Sequence, residues 1–85
     1  MFVDAQEMHK KHPDSFYAPT IRELRALKKG DTVKVCYNNL ERFWVILTSV
    51  KGNKLEGKVD NHVLANDLSL GDIVSFERRH VYDIF

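Results

Sequence analysis

Two Gly-Asp dipeptides, Gly30-Asp31 and Gly71-Asp72, each stand just before a run that alternates apolar and polar residues. The first opens Thr-Val-Lys-Val-Cys-Tyr (32–37); the second opens Ile-Val-Ser-Phe-Glu-Arg (73–78). Period-two alternation marks a strand with one buried face. Arg42-Phe-Trp-Val-Ile-Leu-Thr-Ser-Val (42–50) is a third strand-length run, Leu55–Asp60 a fourth, and Val81–Phe85 closes the chain as a short fifth. So many short strands in so little chain predict a mostly β (α+β) fold. The expectation is a small β-barrel of about five antiparallel strands behind an N-terminal helical arm. Val33, Val35, Phe43, Val45, Val74 and Phe76 are its expected core.

The chain has 85 residues, which predicts a single domain, with residues 1–30 as the helical arm and 31–85 as the barrel. Hydrophobic content of 44% and charge of 29% suit a globular chain rather than a disordered one. The net charge is +1. Residues 1–30 carry six Lys/Arg and four Asp/Glu, and residues 31–85 carry seven and eight. Neither half is a polycation, which argues against a dedicated nucleic-acid binder. A single cysteine, Cys36, permits no intrachain disulfide and suits a reducing compartment. No apolar stretch approaches membrane-spanning length, and the N-terminus has no leader pattern. The expectation is a cytoplasmic protein that contacts no membrane.

In the arm, Asp4 and Glu7 have capping-box spacing for a short helix over 4–11, which Pro13 ends. His12–Pro19 reads as an extended, turn-rich segment anchored by Phe16 or Tyr17. Thr20 and Glu23 repeat the capping-box spacing and predict a helix to Lys29, with Gly30 as its left-handed C′ residue. Ile21, Leu24 and Leu27 form its apolar stripe. Phe43–Leu47 has no polar face, so a cover is expected on both sides; the stripe is placed on the outer one. Asn38-Asn39 and Lys51-Gly52-Asn53 supply turns. Residues 61–70 form a longer connection with Val63, Leu64 and Leu68 tucked in. No internal repeat is evident.

The blocks Gly30–Val35, Glu41–Val45, Leu55–Asn61, Leu68–Phe76 and His80–Ile84 resemble the YegJ-like bacterial domain of unknown function. The resemblance spans residues 12–85, including the His12-Pro13 turn, Phe16 and Pro19, and leaves residues 1–11 outside. It implies an SH3-like barrel with a helix in front. It implies no activity.

Few residues suggest chemistry. His9 and His12 have helical i, i+3 spacing suited to one metal, but two lysines lie between them and a zinc site needs three or four ligands. Solvated histidines are the preferred reading. Cys36, paired with His62 or His80, has no third group to orient a nucleophile and reads as a small buried hydrophobe. Neither a metal nor a cofactor is called for, and the chain is not expected to be an enzyme. Glu41-Arg42 reads as an exposed ion pair before two core aromatics, Phe43 and Trp44; alternatively, Arg42 and Trp44 are interface anchors. Lys51, Lys54, Lys58, Arg78 and Arg79, with Tyr37 or Tyr82, would suit a single strand of nucleic acid, but Glu56, Asp60 and Glu77 interrupt them.

A small barrel binds on its outside, so the favoured function is protein or peptide binding, with single-stranded nucleic acid as the alternative. The expected binding rim is Asn38, Asn39, Arg42, Asn61, His62, Arg78 and Arg79. These positions fall at strand ends, where loops concentrate binding residues.

Overall fold

In the computed structural model, which describes residues 1–38, 41–64 and 67–85, strands form where alternation places them. They are β1 (Thr32–Tyr37), β2 (Glu41–Lys51), β3 (Lys54–Val59), β4 (Ile73–Glu77) and β5 (Val81–Ile84). All pair antiparallel in one sheet of order β4-β3-β2-β1-β5, so the protein is mostly β. The sheet is open, with β4 and β5 as its unpaired edges. Hydrogen bonding therefore does not close the expected barrel. The local cause is visible at β4. A 3-10 turn, Arg78–His80, follows it, and the imidazole Nδ1 of His80 accepts the Glu77 N–H at 2.9 Å. A side chain thus fills a donor that a neighbouring strand would otherwise take.

Apolar side chains cross the gap that hydrogen bonds leave. Val74 and Phe76 from one edge share a core with Val33, Val35, Phe43, Val45 and Val81. All six residues of the expected core are buried. Phe2 packs against this core, its ring 5.2 Å from Tyr37 and 5.5 Å from Phe76. The N-terminal segment is therefore part of the fold: the Val3 N–H donates to the Cys36 carbonyl at 2.9 Å, and Phe2 bridges Tyr37.

The Gly-Asp dipeptides are two copies of one device. Lys28–Asp31 and Ser69–Asp72 are turns closed by the Asp N–H on the first carbonyl (3.1 and 3.0 Å). In each, the Asp carboxylate accepts the first residue's N–H (3.0 and 2.9 Å). The glycine in each has positive φ, +96° and +90°. Its N–H donates to a strand residue, Leu47 or Val59, whose own N–H donates to the Asp carbonyl. Two residues thus oppose one, the G1 bulge, which needs glycine in the left-handed region. The sequence around them repeats too: Leu27-x-x-Gly-Asp-x-Val33 and Leu68-x-x-Gly-Asp-x-Val74. The short repeat is visible in the sequence once the two turns are aligned; the shared hydrogen-bond pattern is what the structure adds.

The first turn also corrects the helix before it. The capping box of Thr20 and Glu23 forms, with bonds of 2.9 and 3.2 Å. However, α2 spans only Ile21–Arg25. Because the Asp31 carboxylate captures the Lys28 N–H, Gly30 serves the turn rather than capping the helix. Leu24 and Leu27 join the inner core, while Ile21 is 62% exposed. Of the two apolar side chains on this short helix, Leu24 enters the inner core, together with Leu27 just beyond the helix, and Ile21 stays in solvent. The expected helical cover on the outer face of β2 is thus overturned.

The helix α1 (Ala5–Lys11) starts as expected, with Asp4 accepting the Glu7 N–H at 3.0 Å. It contributes Ala5 to a second cluster with Phe16 and Ala18, against which Val3, Met8 and Tyr82 pack. Phe16 is the arm's anchor, and Tyr17 is exposed. In the 61–70 connection, Val63 and Leu68 pack on the core as expected, but Leu64 is 91% exposed. Its N–H donates to the Glu41 carboxylate at 2.6 Å, which holds the backbone while its side chain stands out.

Candidate interaction surface

Alternation along β1 and β2 puts Lys34 and Cys36 opposite Trp44 and Arg42 on the outer face. At one end Cys36 is 5% exposed and Phe16 of the arm lies 5.4 Å from the Tyr82 ring; the other side chains, which α2 does not cover, organise themselves. The Lys34 ammonium lies 5.0 Å from the Trp44 ring and 5.8 Å from that of Tyr82. The Arg42 guanidinium lies 4.9 Å from Tyr82 and 5.7 Å from Phe16. Phe85 meets Trp44 edge-on at 5.9 Å. A strip results in which two cations alternate with four rings. Phe85 and Arg42 are exposed, Trp44, Lys34 and Tyr82 are half-buried, and Phe16 is buried beneath the arm's end of the strip. Asp83 sits opposite Lys34 in the register, but its carboxylate accepts the Ile84 N–H at 2.9 Å. Such pairs are worth about 0.5–1 kcal/mol each at exposed sites, enough to order the strip without burying it.

The expected rim does not come together as one site. Arg42 belongs to the strip, paired with rings rather than in the expected ion pair with Glu41. Asn61 lies beneath it in a backbone role: its Oδ1 accepts the Trp44 N–H at 2.6 Å where β3 has ended, beside an Asp60 N–H to Trp44 carbonyl bond of 2.9 Å. His62 is exposed. Asn38 has φ of +54° and accepts from the terminal ammonium of Met1. Asn39 lies outside the described residues. Arg78 and Arg79 sit past the other end of β2: the Arg78 N–H donates to Asn53 at 3.1 Å, and Arg79 pairs with Asp4 and Glu77 at 3.2 Å each.

Lys34, Tyr82, Phe16 and Phe85 lie outside the expected rim. The signal for Lys34 is the hairpin register, which requires knowing where the turn after Tyr37 closes. Trp44, read chiefly as core, is instead an outer-face residue, while Phe43 is 1% exposed inside. The lysines of the 51–58 segment do not form a uniform basic face either. Lys54 pairs with Glu77 in the register, and Glu56 stands between Lys54 and Lys58.

Elsewhere, the Tyr37 hydroxyl donates to the Asp67 carboxylate at 2.6 Å. This bond raises the Tyr37 pKa and lowers that of Asp67. Burial lowers the pKa of His80, and neighbouring Arg79 lowers it further. The His9 Nδ1 pairs with the Phe16 carbonyl at 2.6 Å, a structural bond. Among the described residues, no three of His, Cys, Asp and Glu gather as a metal site, and no helix is long and apolar enough to cross a membrane. Comparison with family models, with curated proteins and with solved structures finds no match.

Proposed function

We propose that the protein is a non-enzymatic binding module of the small SH3-like barrel kind, whose outer sheet face takes a protein or peptide segment. The observation that supports this is the strip of Phe16, Arg42, Tyr82, Lys34, Trp44 and Phe85. Trp, Tyr and Arg are the residues that dominate interface energetics. Two cations among four rings favour a segment that carries a carboxylate beside an apolar side chain. The resemblance to the YegJ-like domain adds no activity to this reading.

A single strand of nucleic acid is the second reading, favoured by the mixture of rings and cations on a small β sheet. The ring contacts weigh against it: Lys34 and Arg42 lie over Trp44 and Tyr82, where bases would stack. The near-balanced charge also disfavours duplex binding.

Affinity capture from a host lysate, with wild type beside a Lys34→Ala/Trp44→Ala variant, tests the proposal. A protein partner retained by wild type, lost by the variant and little affected by salt is the expected result. Tight binding to an oligonucleotide that weakens steeply with salt would establish the second reading instead.

A further inference from the structure

A groove of about 390 Å³ lies between α1, α2 and the β2–β3 turn, on residues that the proposed interaction strip does not use. Its polar lining is Gln6, Lys10, Arg25, Asn53, Arg78 and Arg79, and Ile21 and Leu24 form an apolar wall. No carboxylate lines it. Arg79, at its edge, is paired with Asp4 and Glu77. None of the ion pairs among the described residues involves Lys10, Arg25 or Arg78. Three cations thus converge on one concavity without a counter-charge.

Arg78 is the organised member. Its Nε donates to the Gly52 carbonyl at 2.8 Å, and its Nη1 donates to the Leu24 carbonyl. Both acceptors are neutral, so the guanidinium keeps its full charge while its plane is held. A guanidinium has five N–H donors in a rigid fork, and two are engaged here. The others remain for a ligand oxyanion. Lys10 and Arg25 also line the groove and are exposed, so their charges are accessible to a ligand there. Ile21, left 62% exposed where the helical stripe fails to cover β2, would meet an apolar portion of the same ligand.

We propose that this groove binds a phosphate monoester of a small molecule whose phosphate is attached to an apolar group. Arg78 would receive the phosphate as a preformed fork, with Lys10 and Arg25 supplying charge and Gln6 and Asn53 offering amide donors. The apolar group would rest on Ile21.

The test is a titration of the ¹⁵N-labelled protein, followed by NMR at constant ionic strength, with phenyl phosphate and separately with inorganic phosphate. Phenyl phosphate is expected to shift the Arg78 Nε–H and the Asn53 resonances and to saturate in the millimolar range. Inorganic phosphate should bind the same residues several-fold more weakly. Equal affinity for the two would overturn the role of Ile21. A Lys10→Gln/Arg25→Gln variant alters only exposed side chains, so its thermal midpoint should hold while its affinity falls about tenfold, the sum of two modest charge contacts. Shifts that do not saturate, or a double variant that binds as wild type does, would overturn the site.

Discussion

The two faces of β2 carry similar residues to opposite ends. Inside, Phe43, Val45 and Leu47 are sealed by side chains from both edges of the sheet. Outside, Arg42 is exposed, Trp44 and Ile46 are incompletely buried, and cations and rings take the place of a packed layer. One face is closed by geometry and contributes stability. The other is organised by cations and rings and only partly covered. The strand's apolar character alone does not distinguish them.

The sharpest way to break this contrast is to truncate neighbours. Phe43→Ala should cost about 3–5 kcal/mol, a ring's transfer energy plus a cavity. Trp44→Ala, one residue on, should cost less, because its ring is only partly buried and leaves no enclosed cavity. Urea unfolding of both variants decides the matter; equal losses would mean that the outer face is a second core.

Gly57 gives the inner face a second test. A Cβ there would stand 2.3 Å from the Val45 side chain and 2.8 Å from the Ile46 carbonyl oxygen. The side chain can rotate, but the backbone of the next strand cannot move cheaply. Gly57→Ala should therefore lose about 1–3 kcal/mol by overpacking. A midpoint in urea equal to that of wild type would show that β2 and β3 have slack where they cross.

The inner face was legible in the sequence, and the outer face was not. Val33, Val35, Val74 and Phe76 follow period two after a Gly-Asp turn, and burial obeys that parity. Phe43–Leu47 breaks the pattern because Trp44 and Ile46 are apolar on the open side. That made a covering helix the natural inference, and α2 proved too short to supply it. β2 also changes parity at a bulge between Leu47 and Ser49, so that Val50 returns to the core side. The strip needed the β1–β2 register, which a residue-by-residue pattern does not contain. Arg78 and Arg79 were legible as cations at a strand end. Their separation from Arg42 depends on how the sheet folds over.

The twin turns sharpen the comparison at smaller scale. Gly30→Ala and Gly71→Ala each place a Cβ in open space but force a left-handed backbone on alanine. Each should cost about 1 kcal/mol. Gly30 serves a central strand and Gly71 an edge strand, so hydrogen exchange after Gly30→Ala should spread through β1 and β2, while Gly71→Ala should loosen only β4. Identical exchange patterns would mean that the two turns are not independent.

A still smaller effect lies at the sheet's open side. His80 must be neutral at Nδ1 to accept the Glu77 N–H, and burial holds its pKa below 6.5. The unfolded chain therefore takes up a proton at a higher pH than the folded one does. Stability from this group is complete above pH 6.5 and declines as pH falls toward the lowered value. Asp4, Glu77 and Arg79 also face this imidazole. His80→Asn keeps an acceptor but cannot titrate, so its unfolding free energy should fall less than that of wild type between neutral and mildly acidic pH. Parallel curves would remove His80 from the account.

The smallest expected stability change is also the most informative about function. Arg42 is exposed and its guanidinium lies over Tyr82 and Phe16. An exposed cation–π contact is worth about 0.5–1 kcal/mol, and two that share one cation should not exceed that range. Arg42→Ala should therefore lower the thermal midpoint only slightly, whereas Phe43→Ala next to it approaches unfolding. Arg42→Lys keeps the charge but loses the planar stack and fork. If the strip recognises a carboxylate through that fork, partner binding should fall for both substitutions while the fold persists. If Arg42→Lys binds as wild type does, charge alone suffices. If Arg42→Ala unfolds the protein, the arm and the sheet are held together by this contact, and the outer face belongs to the core after all.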